Sequence, residues 1–381
     1  MRIILALACL AWILFVLFDG FETLVLPRRV SRQFRYARFF YLGTWRLWRG
    51  VALGLPPGKR RDNFLSYFGP LSILGLFISW VLALILGFGL LHAALETPLQ
   101  TPDDGIEVGT YLYFSGNTFF TLGTGEIRAV NSLGRFLTVA EAGTGLGFIA
   151  IIIGYLPVLY QAFSRRELTI AMLDARAGSP PSAGQLLLRL ARGGKMHTLN
   201  DFLVEWERWA AETLESHLSF PVLTYYRSQH DNQSWLATLT VILDTGALLL
   251  AAVKDANSYQ AQLTFAMARH AIVDLAMVFR IPPHAPEPDR LPDLAWQRLC
   301  GALHEAGLAI REGPAVEEKL RELRTTYEPF VNAMAGRLLF TLPVWLPATV
   351  TVDNWQTSAW TARTAGIGSL PLTEADREHL D

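Results

Sequence analysis

Cysteine is scarce: Cys9 and Cys300 lie far apart and in different surroundings, so neither a disulfide framework nor a zinc-ligand spacing follows. No Walker sequence, strand-led glycine fingerprint or Gly-x-Ser-x-Gly elbow occurs, which removes the usual sequence signals for nucleotide binding and serine hydrolysis. His197, His217, His230, His270, His284 and His304 dot the C-terminal half. His270 and Asp274 share a helical face, but no pair has the spacing of a metal site. The reading is therefore of a protein that is not an enzyme, with no cofactor and no nucleic-acid partner.

Charge is missing where it is most informative. Leu71 to Leu91 is 21 residues with none, long enough at about 1.5 Å per residue to cross roughly 30 Å of hydrocarbon. Phe136 to Phe163 is mostly apolar, carries only Glu141, and ends at Arg165-Arg166-Glu167. Ile3 to Phe18 is a shorter apolar run without a small-residue cleavage site before Asp19. Cleavage there would send a strongly basic segment outward, so a signal-anchor helix is preferred to a signal peptide. A mean hydropathy of +0.27 and 51% hydrophobic residues suit a chain that is part membrane and part soluble.

The net charge of −1 hides a strong asymmetry. Between Gly20 and Gly69 stand ten basic residues (Arg28, Arg29, Arg32, Arg35, Arg38, Arg46, Arg49, Lys59, Arg60 and Arg61) against Glu22 and Asp62. Between Ala93 and Gly134, Glu96, Asp103, Asp104, Glu107 and Glu126 face only Arg128. The positive-inside rule puts 20–69 in the cytoplasm and the segment between the two long apolar runs outside. Arg29, Arg32, Arg35 and Arg38 recur every third residue like a voltage sensor. The polar residues between them and the cost of about 2.5–3.5 kcal/mol for each arginine at the membrane centre favour a helix on anionic headgroups instead. Phe34, Phe39, Phe40, Trp45 and Trp48 would then be its interface anchors.

Between the two long apolar runs lies Tyr111 to Glu126, Y-L-Y-F-S-G-N-T-F-F-T-L-G-T-G-E. An aromatic helix runs into Thr121-Leu122-Gly123-Thr124-Gly125, where alternating glycines permit backbone angles denied to other residues. Successive carbonyls can then point one way and replace the water shell of a cation. The passage resembles the pore loop of the two-transmembrane-helix potassium channels, whose signature is T-V-G-Y-G-D. Thr121, Gly123 and Gly125 match it, while Leu122, Thr124 and Glu126 replace the valine, tyrosine and aspartate. The resemblance covers roughly Pro70 to Glu167, under a third of the chain.

The resemblance implies an all-α membrane protein with a helix–pore loop–helix domain over 70–165; the apolar and charge patterns add an N-terminal signal-anchor helix with a basic interfacial segment over 1–69 and a cytosolic helical domain over 166–381. It implies a homotetramer, since one chain supplies one filter strand, and potassium as the permeant ion held by Thr121, Leu122, Gly123, Thr124 and Gly125. Asn117 and Thr118 would support the filter, with Asn117 bonding either the Glu126 carboxylate or nearby pore-helix backbone. Glu141, a lone carboxylate in an apolar helix, is expensive unless paired. A hydrogen bond to the pore helix is its favoured role. Counted from Gly134-Arg135, Gly145 falls at the family's gating hinge, although Gly143, Gly145 and Gly147 also suit close packing. The missing tyrosine leaves the filter's width to Phe119, Phe120 and Tyr113, and puts potassium selectivity in doubt more than cation permeation.

A poorly selective cation channel, or a membrane-anchored scaffold with a closed pore-like hairpin, are the rival readings. The expected location is the cell membrane, in bacteria the inner membrane, with several spans and the C-terminal domain in the cytoplasm.

Past the linker at Ala177 to Ser182, Asp201 to Trp209 has helical patterning. Leu236 to Val253 is apolar enough for a span, but Asp244 at its centre favours a buried helix. Pro282 to Pro292 reads as a loop and Glu317 to Glu328 as a charged helix. The Phe340–Trp360 tract is broken by prolines and is not expected to span.

Overall fold

The computed structural model describes residues 1–26, 34–102, 105–229, 233–254 and 258–348. Arg28, Arg29, Arg32, Asp103, Asp104, His230 and the tract beyond 348 lie outside the described residues. The chain divides into two compact units, 1–161 and 162–381.

The first unit holds α1 (Arg2–Leu24), α2 (Tyr36–Leu53), α3 (Lys59–Ser66), α4 (Phe68–Ala94), α5 (Val108–Phe119) and the first part of α6 (Ser132–Ala177). Helices α1, α4 (with α3) and α6 are long and apolar enough to cross a membrane. Pro70 sits in the first turn of α4, where a missing N–H costs nothing.

Helix α1 runs antiparallel to α4, as three contacts along its length record. Arg2 pairs with Glu96 at 2.5 Å, Trp12 Nε1 donates to the Ala83 carbonyl at 2.9 Å, and Trp80 Nε1 donates to Asp19 at 3.1 Å. Asp19 is fully buried and also accepts from the backbone N–H groups of Tyr36 and Ala37 at 2.9 and 3.1 Å. One carboxylate thus satisfies the first two free donors of α2 and ties α1 to α4. Rings hold α6 against α4: Phe77 meets Tyr155 at 5.9 Å and Trp80 meets Phe148 at 6.0 Å between centroids.

The basic segment differs from expectation in two ways. Arg35 stands at the N-cap of α2, so the arginine repeat is not one continuous helix. Trp45 is buried against Phe68, with centroids 4.8 Å apart, and Trp48 stacks on Phe64 at 4.5 Å. These two tryptophans join α2 and α3 to α4 rather than anchoring an interface. Phe34 and Phe39 are exposed, as anchors would be.

The second unit contains α7 (Ala183–Arg192), α8 (Leu199–Ser219), α9 (Trp235–Ala251), α10 (Ser258–Val278), α11 (Asp293–Glu305), α12 (Pro314–Thr325) and α13 (Glu328–Leu338). Its core is α9, buried around almost its whole circumference and packed by α7, α10, α12 and α13. A helix apolar on all sides belongs in an interior. Packed on all sides by helices of its own unit, it is a buried helix, as Asp244 at its centre favoured. Ser234 caps it, accepting from Ala237 N at 3.0 Å. The carboxylate of Asp244 meets Arg290 at 2.6 Å and Tyr327 at 2.6 Å, and Arg290 also reaches Glu328 at 2.9 Å. Burial and the Asp244 charge keep the Tyr327 phenol protonated well above its ordinary range.

Helix α6 does not end at Arg165-Arg166-Glu167. Its residues from 162 onward belong to the second unit, and the Arg166 side chain is buried there. The Arg166 guanidinium donates to Glu167 at 2.9 Å and to the carbonyls of Leu223 and Tyr226 at 3.0 and 3.1 Å. His217 lies 2.7 Å from the Thr213 carbonyl through Nδ1 and 3.3 Å from Arg166 through Nε2. A carbonyl only accepts and a guanidinium only donates, so the imidazole is neutral with its proton on Nδ1.

Burial and the neighbouring Arg166 charge push His217 down to about 3. The unfolded chain therefore binds the extra proton first, from the ordinary histidine value of about 6.5 downward. The stability that neutral His217 contributes is complete above that value and is lost as pH falls toward about 3. Thermal unfolding of the full chain between these limits should show stability falling with acid. His217→Gln should flatten that slope by up to about 1.4 kcal/mol per pH unit. An unchanged slope would mean that His217 is not what acid attacks.

Candidate functional site: the pore loop

The loop is built from its two ends. Helix α5 begins where Glu107 N donates to Thr110 Oγ1 at 3.3 Å, and it is buried along Tyr111, Phe114, Ser115 and Phe119. Its last turn closes by bonds from Phe120, Thr121 and Leu122 N–H groups to the carbonyls of Gly116, Thr118 and Asn117. On the far side, a two-residue strand β1 (Leu99–Gln100) pairs antiparallel with β2 (Arg128–Ala129), Leu99 opposite Ala129 and Gln100 opposite Arg128. Leu99, Tyr111, Phe114 and Ala129 pack into one cluster beneath the ribbon. The chain before α5 is thus tied to the chain after the loop.

Between these ties, φ is positive at Thr121 (53°), Gly123 (66°) and Gly125 (73°), every second residue. That alternation lets successive carbonyls face one side instead of opposite sides. It is natural for glycine and costs threonine strain. All five residues from Thr121 to Gly125 are exposed in the single chain.

The supporting residues are arranged differently from expectation. Asn117 Nδ2 donates to the Thr124 hydroxyl, not to Glu126 or to local backbone. Tyr113 reaches Glu126 instead, at 3.4 Å. Thr118 is half-buried on α5 beside them. Phe119 is fully buried and meets Phe120 edge-on at 5.7 Å, while Phe120 and Tyr113 are largely exposed. Thr124 is therefore tied to α5 by a hydrogen bond rather than by a packed ring.

Glu141 lies behind the loop. It is fully buried, hydrogen-bonded to Ser115 of α5 and 3.7 Å from His92 Nε2 at the end of α4. Gly145 has a packing reason: a Cβ there would come within 2.1 Å of the Phe119 carbonyl. The end of α5 and the middle of α6 approach too closely for any side chain. Gly143, Gly147 and Gly154 would meet nothing within 4 Å.

Residues 75–161 match the ion channel family. This segment is a two-helix, pore-loop channel domain. The uncharacterized membrane protein YdjJ of Bacillus subtilis (strain 168) is 28% identical to this chain over 262 residues, covering 65% of this chain and 73% of that protein. No solved structure matches. The matched segment takes in α4 from residue 75 onward, α5, the loop and the whole first-unit part of α6.

His92 was not singled out by sequence. The signal for it is Glu141: a lone carboxylate in an apolar helix requires a partner, and His92 ends the other apolar run. Among the described residues, no group of three or more His, Cys, Asp or Glu gathers as a metal site. His270 and Asp274 come within 3.4 Å as a simple pair. Cys9 and Cys300 are both buried and free.

Proposed function

We propose that this chain forms a tetrameric channel for passive potassium transport, with Thr121 to Gly125 as its carbonyl-lined filter. The observation that carries the reading is the alternation of positive φ at Thr121, Gly123 and Gly125 inside a helix–loop–helix frame. Exposed backbone of this kind is tolerated at membrane depth only where it lines an ion or water path. One chain supplies one strand of such a filter, so a ring needs copies about an axis, and fourfold closure suits a cation-sized ring. On α6, Val139, Leu146, Ile153 and Tyr160 recur every seventh residue and are all exposed. That seam suits packing of inner helices around the axis.

The charge asymmetry supports an outward-facing loop and cytoplasmic α2, α3 and second unit. Arg46 and the run Lys59 to Arg61 on α2 and α3 suit anionic headgroups at the inner surface. Gating would act through α6, a reading supported by the helix's continuation to Ala177. A poorly selective cation pore is favoured by one feature, Thr124 held by a hydrogen bond from Asn117 in place of a packed aromatic ring.

Purification in detergent should give a particle of four chains held through residues 70–165. A monomer or dimer with the fold intact would overturn the assembly. Proteoliposomes carrying a potassium gradient, then a sodium gradient, separate the selective from the unselective pore. No flux of either ion would leave the scaffold reading.

A further inference from the structure

The cluster behind the loop has an unsatisfied account of hydrogens. His92, Ser115 and Glu141 come from α4, α5 and α6, and all three are fully buried. Ser115 Oγ contacts Glu141 Oε1 and also lies 2.8 Å from the Ile85 carbonyl. A hydroxyl has one hydrogen, and the carbonyl can only accept. Both contacts are hydrogen bonds only if Glu141 itself carries a proton. On the other side, His92 Nδ1 meets Thr97 Oγ1 at 3.1 Å. That leaves His92 Nε2 and Glu141 Oε2 facing each other across 3.7 Å, each without a hydrogen-bond partner. Two buried polar atoms with nothing else to bond are costly, and a proton between them removes the cost.

We propose that His92, Ser115 and Glu141 form a proton-binding site that adjusts the filter through α5. In one state a neutral Glu141 donates to Ser115, Ser115 donates to Ile85, and His92 is neutral. In the other, Glu141 has lost its proton to solution, and neutral His92, with its ring hydrogen on Nε2, closes onto the charged carboxylate as a hydrogen-bond donor. Ser115 then turns its single hydrogen to Glu141 and releases the Ile85 carbonyl. The proton passes between the carboxyl oxygen and solution, and no other covalent bond changes.

Ser115 stands two residues before Asn117, which holds Thr124, and α5 leads directly into Thr121. A change in how Ser115 is tied to α4 and α6 therefore moves the support of the filter. The groups around the pair are few. Phe114 meets the His92 ring edge-on at 5.2 Å, and Tyr111 donates to the Thr97 carbonyl at 3.1 Å. On α1, Arg2 is engaged with Glu96 at the surface, and Asp19 and Glu22 lie at the opposite end of that helix. On α6, Arg135 reaches the Ala129 carbonyl at 3.4 Å.

The flux arm of the test rests on the channel reading; the spectroscopic arm does not. Full-length protein in detergent, titrated across the acid and neutral range, should show an infrared carboxylic acid band that is lost as pH rises. Glu141→Gln should abolish the band and His92→Gln should displace its midpoint. In proteoliposomes, flux should vary several-fold with outside pH over the same range. That dependence should be lost in Glu141→Gln and His92→Gln. Ser115→Ala should keep the titrating band yet uncouple it from flux, which a merely structural serine would not do.

A band that is absent, or that survives Glu141→Gln, overturns the site. Wild-type flux whose pH dependence is unchanged in all three variants overturns its link to the filter and leaves the channel standing. Wild-type protein that never conducts overturns the channel reading and, with it, the filter link, while the infrared titration still decides the site.

Discussion

Gly123→Ala is expected to lower cation flux by at least about tenfold while the oligomer still assembles. The reason is conformation rather than crowding. A Cβ at Gly123 would have the Thr121 carbonyl oxygen as its nearest neighbour at 4.0 Å, an ordinary contact. Its φ of 66° is the left-handed region, which costs an L-residue about 1–2 kcal/mol. Four copies around one axis raise that to about 4–8 kcal/mol for a ring that keeps its shape. Rotating the peptide relieves the strain and turns a carbonyl away from the ion path. A loss of 1.4 kcal/mol per ion site is already a factor of about ten. The helices on either side are untouched, so particle size in detergent should not change. Thallium or potassium flux in proteoliposomes, matched for assembled protein, is the measurement. Flux equal to wild type would mean that Thr121 to Gly125 is not the filter.

The passage that dictates this result was legible because its signals are local. Alternating glycines need no partner to reveal an unusual backbone, and an uncharged run of sufficient length needs none to suggest a span. What sequence reading missed depends on residues far apart in the chain. Asp19 was seen only as the end of an apolar run, yet it opens α2 and bonds Trp80 of α4. Glu141 announced that it needed a partner without saying which, and His92 lay beyond the last residue of the uncharged run. The pairing of Asn117 with Glu126 was carried over from the family. Thr124 in the place of the tyrosine brings a hydroxyl within reach of Asn117 and changes the pairing. The charged triplet at Arg165 marks where lipid can end, but charge does not end a helix. Leu168 to Ala177 is rich in good helix formers, and α6 continues through it. Arg166 then finds its partners in carbonyls more than fifty residues later, a pairing that no local pattern records.

Asp244→Ala should be the most damaging single change in the second unit. Sequence reading gave Asp244 as the reason α9 is no ordinary span, and the fold shows what it holds. Arg290, itself buried, reaches Asp244 at 2.6 and 3.2 Å, Glu328 at 2.9 Å and the Pro343 carbonyl at 3.0 Å. Arg324 pairs with Glu328 at 3.0 Å and with Asp289. One carboxylate on α9 thereby gathers the loop before α11, the start of α13 and the chain after it. Removing it leaves a buried guanidinium short of its closest partner and strands the Tyr327 hydroxyl. Breaking a buried pair from one side costs about 3–5 kcal/mol, which is roughly a hundredfold to several-thousandfold in an opening equilibrium. Amide exchange of residues 235–251 in the full-length protein reads that equilibrium directly, since the slowest core amides open with the whole unit. Protection should fall by that factor in Asp244→Ala. Asp244→Leu combined with Arg290→Met should recover much of it, because an apolar pair needs no compensation. If Asp244→Ala loses less than about tenfold in protection, the network is not what holds α9. If the double variant is as weak as the single, a stranded charge is not the cause.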